Sequence, residues 1–292
     1  MRCDLAILGL DLSPQREVIF DALLHSLEVY LDPSDDIVVT LVGADEGRAK
    51  GRSPLIRRSA SVPSVLGKGD EAAGLPTWYR EQLLALYFAA NCEAEFALVL
   101  PVGAFAIGPL SASTLLPRNR ARTQWESVDY HPDWWRNARS LTGRTPLSGW
   151  EGPTILPAIL SAELARWTLD LISREAGGAD PKAALRAAID ASKNWSAMTL
   201  YAAAAGSRLT QFHHDSFASR ATPLHSSAML WSQGAVHAFH PAEGNGDRGL
   251  FTYVQASEIS EPDDVLDRLY ACLRPPAVAQ PEKARLASTG PG

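Results

Sequence analysis

Asp4-Leu5-Ala6-Ile7-Leu8-Gly9-Leu10 is a short apolar run that ends in Asp11-Leu12-Ser13-Pro14. A run of this length closed by turn residues reads as a buried strand. Ser13-Pro14 then opens a helix, in which Ile19, Leu23, Leu24, Leu27 and Leu31 recur at helical spacing. After the turn Asp32-Pro33-Ser34-Asp35 comes Ile37-Val38-Val39-Thr40-Leu41-Val42, a continuous and largely β-branched run. A strand that is apolar on both faces belongs inside a parallel sheet covered by helices. The opening therefore reads β–α–β, and the fold class expected is α/β: a mostly parallel, Rossmann-like twisted sheet with helices on both faces.

The rest of the chain extends this reading. Residues 43–76 are rich in Gly, Ser, Arg and Pro and predict a long, partly mobile loop with one short strand near Ser61-Val62. Residues 78–88 form an amphipathic helical pattern, and Glu95 to Leu100 a buried strand ended by Pro101. Residues 111–150 are aromatic-rich and broken into short elements. Two helical patterns, 153–175 and 181–205, flank Gly177-Gly178, and a strand-and-loop region is expected after Tyr201. Residues 1–274 are expected to make one domain, with halves of about 1–110 and 111–274. The Pro- and Ala-rich segment 275–292 reads as a disordered tail.

Composition removes several function classes. The 292 residues carry a net charge of −6, which argues against a general nucleic-acid-binding role. The three cysteines, Cys3, Cys92 and Cys272, are odd in number and far apart, and read as thiols of a reducing compartment. No signal-peptide pattern is visible, and the apolar stretches fall short of the ~20 residues that span a bilayer. The expected location is the cytoplasm. The oligomeric state is left open.

Three constellations could carry chemistry. Trp78, Tyr79, Arg80 and Gln82 stand at a helix start beside the carboxyl ends of parallel strands, where ligands bind such sheets. Arg80 suits phosphate oxygens, and the bland alternative is a solvated Arg beside core aromatics. His131-Pro132-Asp133-Trp134-Trp135 and Trp150-Glu151 combine indole faces, which stack on rings, with a carboxylate able to act as general base. Here the alternative is a Trp-rich secondary core. In His213-His214-Asp215, His213 and Asp215 would share one side of a strand, as a metal-ligand pair, an acid/base dyad or a structural pair. Gly9 lacks the rest of a phosphate-binding glycine fingerprint, and there is no nucleophile elbow or regular metal-ligand spacing.

The order of weak motifs is more telling than any one of them. Leu23-Leu24-His25-Ser26 is followed by Pro76-Thr77-Trp78-Tyr79-Arg80-Glu81-Gln82-Leu83-Leu84-Ala85-Leu86, then Leu98-Val99-Leu100-Pro101-Val102-Gly103, His131-Pro132-Asp133-Trp134 and Trp195-Ser196-Ala197 with Tyr201. Over residues 4–215 this series resembles a family of bacterial glycosyltransferase-like proteins found with polysaccharide loci, of the GT-A type. The resemblance implies a small-molecule substrate pair, a nucleotide-diphospho-sugar and a hydroxyl acceptor. It implies a nucleotide slot at Asp11, Ser13 and Asp45, and substrate contacts from Trp78, Tyr79, Arg80, Gln82, Asp133, Trp134, Trp150, Ser196 and Tyr201. Catalytic candidates are Glu151, His131, His213 and Asp215.

The departures are specific. The family's Asp-x-Asp pair, which holds a divalent cation on the donor pyrophosphate, is replaced by Pro101 and Gly103, so a divalent metal is not expected. The later Glu is Ala197, and the helix Lys is Ala85. Three readings follow. The chain is a metal-independent transferase with Glu151 as base and Arg80 on the leaving diphosphate, or a scaffold turned to another small-molecule reaction, or a non-catalytic binding subunit. The first keeps a pocket near Leu10–Ser13; the second shifts it toward the Trp cluster; the third shows an exposed apolar patch.

Overall fold

The computed structural model describes residues 1–10, 12–43, 53–66, 74–144, 151–221, 223–226, 230, 232–239, 249–255 and 261–273. Strand β1 (Cys3–Leu8) leads into helix α1 (Pro14–Tyr30) and strand β2 (Val39–Val42). Strand β3 (Ile56–Ala60), a helical turn at Val62–Leu66, helix α2 (Thr77–Asn91) and strand β4 (Phe96–Pro101) follow. Short strands β5 (Ala104–Ala106) and β6 (Glu126–Ser127) come next, then helix α3 (Pro132–Thr142) and strands β7 (Glu151–Gly152) and β8 (Ala158–Ser161). Helices α4 (Ala162–Glu175), α5 (Pro181–Asp190) and α6 (Ala197–Ala205) precede strand β9 (Phe251–Tyr253) and helix α7 (Pro262–Cys272).

The main sheet has the order β3-β2-β1-β4-β8. β1 runs parallel to β2 on one side, with Leu5 opposite Val39, and to β4 on the other, with Leu5 opposite Leu98. β3 is parallel to β2, and β8 closes the far edge antiparallel to β4. Because successive side chains alternate across a strand, the two faces receive different sets. Leu5 and Ile7, Val39 and Leu41, and Leu98 and Leu100 join the core that contains α1 and α7. Ala6, Leu8, Val42, Ala97, Val99 and Leu160 join the core under α2, α4 and α6. The α/β class and the helix cover on both faces are as the opening residues predict.

Four local expectations change. The short strand near Ser61-Val62 lies earlier, at Ile56–Ala60, and Val62–Leu66 is helical. The helical pattern from residue 153 begins instead with strand β8, because Pro153 and Pro157 cannot donate within a helix and Ser161 caps the true start of α4 through Leu164 N–H. The 181–205 pattern is two helices, broken where Ser192 adopts φ +57°. Beyond Tyr201, the expected strand-and-loop region holds strand β9 and also helical turns at Leu209–Phe212, Ser216–Ala221 and Gln233–His237, which are too short to show a period. The segment 275–292 lies outside the described residues. No helix among those described is long and apolar enough to cross a membrane.

Every residue of α6 is buried. A helix without a solvent face must have its terminal amides satisfied by the protein. Ser196 and Thr199 form a capping box, and Gln82 Oε1 accepts from Ala197 N–H at 2.9 Å. Further along, the Tyr201 hydroxyl accepts from Ser161 N–H at 2.9 Å and lies 2.7 Å from His213 Nε2. His213 Nδ1 is 2.8 Å from Thr123 Oγ1, which donates to Ala121 O. That order of donors makes His213 a neutral Nδ1–H tautomer accepting from Tyr201.

Burial, reinforced by His214, holds the His213 pKa down to about 3, and burial holds His225, bonded to Pro157 O, down to about 4. The folded chain therefore refuses protons that unfolded histidines accept near pH 6.5. Stability present at neutral pH should fall as pH drops below that value. Each histidine that the unfolded chain protonates and the folded chain does not steepens the loss by up to roughly 1 kcal/mol per pH unit. Urea midpoints measured between pH 7 and pH 5 check this, and His225→Gln should roughly halve the slope. Tyr201→Phe should cost roughly 1–3 kcal/mol for each buried group it leaves unpaired, Ser161 N–H and His213 Nε2, at neutral pH.

Candidate functional site

The sheet order places the crossovers on opposite sides of β1: the first connection leads through α1 to β2, while the connection through α2 arrives at β4. In open α/β sheets the crevice beyond the carboxyl ends at such a reversal is where ligands bind. A cavity of about 580 Å³ occupies that place. The start of α1 supplies Ser13, Gln15 and Arg16, and the start of α2 supplies Thr77, Trp78, Glu81 and Gln82. Pro101 at the end of β4 and Val102 and Gly103 after it form the floor, and Thr154–Leu156 and Tyr253–Gln255 complete the walls.

Two helix N-termini thus bound one cavity, each carrying partial positive charge from its aligned peptide dipoles. Arg16 Nη2 reaches Glu81 Oε1 at 2.6 Å across the gap between α1 and α2. Among the described lining residues Glu81 is the only carboxylate, and its residue is 7% exposed. Burial raises the Tyr253 phenol above its ordinary pKa, with the Glu81 charge adding to the rise and Arg16 opposing it. Thr154 is tied from behind: its hydroxyl donates to Glu126, and its carbonyl accepts from Ser196 Oγ at 2.7 Å. Burial lifts the Glu126 carboxyl above the usual range.

Residues 50–275 match the profile of a family of unknown function (DUF6492). The chain belongs to that family. The matched region holds Glu81, Gly103, Thr154 and Tyr253 of the cavity, and begins after Arg16. No curated protein sequence matches the DUF6492 chain. Similar solved structures include galactosyltransferase LgtC in complex with donor and acceptor sugar analogs, 11% identical with a TM-score of 0.43 over 96% of this chain and 98% of that one. Mouse xyloside xylosyltransferase 1 in its apo form is 12% identical, with a TM-score of 0.44 over 88% of this chain and 98% of that one.

Among its described lining residues the DUF6492 cavity offers a single carboxylate to a divalent cation. Pro101 and Gly103 line the floor and offer no side-chain oxygen, and Glu81 is already bound to Arg16. Position 103 has no room for a carboxylate. A Cβ built there would lie 2.6 Å from Val254 O and 2.7 Å from the Tyr253 ring. Gly103 O in turn accepts from Val254 N–H at 2.7 Å, so β9 closes directly onto the residue that replaces the expected Asp. Among the described residues no three His, Cys, Asp or Glu side chains converge on a common point.

The predicted site residues fall in separate parts of the structure. Ser13, Trp78 and Gln82 line the cavity, Gln82 while also capping α6. Tyr79, His131 and Trp134 continue from Trp78 as an aromatic series, and Asp133 pairs with Arg136 at 2.7 Å on the exposed side of α3. Arg80 is half-buried outside the lining set. Glu151, expected as the base, is on β7 in an ion pair with Arg220 at 2.9 Å and does not line the cavity.

Ser196, Tyr201 and His213 are fully buried in the hydrogen-bonded core rather than at a ligand surface. Asp215 is exposed and accepts from Ala218 N–H, so the expected His213–Asp215 side of a strand does not form. Asp11, Asp45 and Trp150 lie outside the described residues. Sequence reasoning missed Arg16 and Glu81. Their signal was position within the first turn or so of two helices that follow parallel strands, which is where side chains reach the sheet's carboxyl end.

Because the neighbours of position 103 are a backbone carbonyl and a packed ring, Gly103→Asp should not restore a metal site. Overpacking typically costs about 1–3 kcal/mol, and this contact should reach at least the upper end. Denaturant unfolding with and without Mn²⁺ checks it: destabilisation without rescue by the metal is expected.

Proposed function

We propose that this DUF6492 chain is a glycosyltransferase-like enzyme that binds a nucleotide-diphospho-sugar in the cavity and passes the sugar to a hydroxyl acceptor without a protein-held metal ion. One observation carries the reading. The crevice at the sheet reversal keeps a cationic group and two helix N-termini, while the two positions that would carry metal-binding carboxylates are Pro101 and Gly103. The slot also lies beside Ser13, where a transferase is expected to keep it.

In this reading Arg16 turns from Glu81 to the diphosphate, whose oxygens suit a guanidinium fork. Glu81 is then the cavity's base, in the role that sequence reasoning gave to Glu151. The acceptor oxygen bonds to the anomeric carbon as the bond from that carbon to the phosphate oxygen breaks. The acceptor proton passes to the Glu81 carboxylate, and the diphosphate leaves with the electron pair. Arg16 and the N-termini of α1 and α2 stabilise the charge that develops on it.

Thermal shift with uridine and guanosine diphosphates and their sugars tests the proposal. A ligand at a hundred times its dissociation constant adds about 2.7 kcal/mol of stability, and the shift should be unchanged by chelator. Arg16→Ala should weaken binding roughly tenfold or more. Glu81→Gln should bind the nucleotide sugar yet lose roughly 10²–10⁴-fold in turnover. No shift with any of these nucleotides would overturn the proposal, and a shift that required Mn²⁺ would overturn its metal independence.

A further inference from the structure

The chain carries a net charge of −6, yet no Asp or Glu stands between Glu95 and Glu126. The only charged residues in that stretch are Arg118, Arg120 and Arg122. They lie on the loop that leads to Thr123, the partner of buried His213. Arg118 and Asn119 take φ +54° and +62°. Side chains larger than glycine rarely adopt this left-handed backbone, and where they do the local cost often serves a function. Here the turn leaves Arg118, Asn119 and Arg120 all exposed.

The loop is fastened to the segment around His214. Ala121 N–H donates to Phe212 O at 2.8 Å and His214 N–H to Ala121 O at 3.0 Å. His214 Nε2–H donates to Pro117 O at 2.9 Å, and Arg122 Nη1 to Pro223 O at 3.3 Å. The helical turn Ser216–Ala221 therefore stands beside the loop, and its Phe217 is 85% exposed. The carboxylates of this corner are engaged: Asp215 accepts from Ala218 N–H, and Glu151 pairs with Arg220. Among the described residues neither Arg118 nor Arg120 forms an ion pair.

We infer that this corner docks the protein reversibly on an anionic lipid surface, with Arg118 and Arg120 on phosphate headgroups and Phe217 in the interfacial layer. Guanidinium forks bind phosphate oxygens, and an aromatic ring beside cations is what such a surface retains. A negatively charged chain is repelled by that surface elsewhere, so the acid-free corner also fixes the orientation of docking. A stable protein interface needs roughly 800 Å² per partner around an apolar centre, and one phenylalanine among arginines does not supply that centre. The inference stands apart from the transferase reading, since none of these residues lines the cavity.

The full chain is tested by co-sedimentation with vesicles of phosphatidylglycerol and phosphatidylcholine, and with vesicles of phosphatidylcholine alone. Binding to the anionic vesicles only is expected, with release as salt rises from about 0.05 M to about 0.5 M. Arg118→Gly suits the left-handed backbone better than arginine does, so it removes charge without harming the fold. Combined with Arg120→Ala it should weaken binding roughly thirtyfold. Phe217→Ser should weaken it roughly tenfold, and Phe217→Trp should restore it. Arg136→Ala, at an equally exposed arginine of α3, should leave it unchanged. Circular dichroism of each variant checks the fold. No binding to anionic vesicles, equal binding to neutral ones, or binding that the arginine pair leaves unchanged would each overturn the inference. Retention on soluble polyphosphate without vesicle binding would overturn the lipid assignment in favour of a polyanion.

Discussion

A helix with no solvent face imposes the strictest condition in this molecule. The first amides of α6 must find partners inside the protein, and an unpaired buried group costs as much as a typical point mutation. Those partners come from separate parts of the chain. Gln82 arrives from α2, Ser196 links the helix start to Thr154, and Tyr201 joins the end of β8 to His213 and Thr123. Satisfying one helix therefore fixes the position of the cavity's α2 wall and its Thr154 wall together. The same Gln82 both anchors α6 and lines the cavity.

The cavity's position follows from topology and its contents from packing. Crossovers that arrive at β2 on one side of β1 and at β4 on the other open a crevice whatever the side chains are. What fills it is local. β9 returns to hydrogen-bond at Gly103, and the closeness of Val254 and Tyr253 leaves glycine as the residue that fits. The glycine at that position and the close approach of β9 go together. A side chain there would push β9 away from the floor.

Electrostatically, the cavity meets negative charge with side-chain and backbone groups. Arg16 and Glu81 neutralise each other across the gap between α1 and α2.

By itself, the sequence determined the β–α–β opening, the parallel sheet, helix α2 and strand β4, because continuous β-branched runs and helical apolar spacing act over a few residues and need no distant partner. It also located Ser13, Trp78 and Gln82 near the carboxyl ends of strands, since helix starts in such sheets face that way. Strand β8 and the short helices after Tyr201 were not legible: four apolar residues between prolines and single helical turns carry no period. Only the tertiary structure decided the fates of polar residues. His213, Ser196 and Tyr201 resemble site residues in sequence and are buried structural partners, whereas Arg16 and Glu81, plain helix charges 65 positions apart, meet in the cavity. Which polar groups are buried together depends on how helices pack across a sheet, a long-range property that no local pattern encodes.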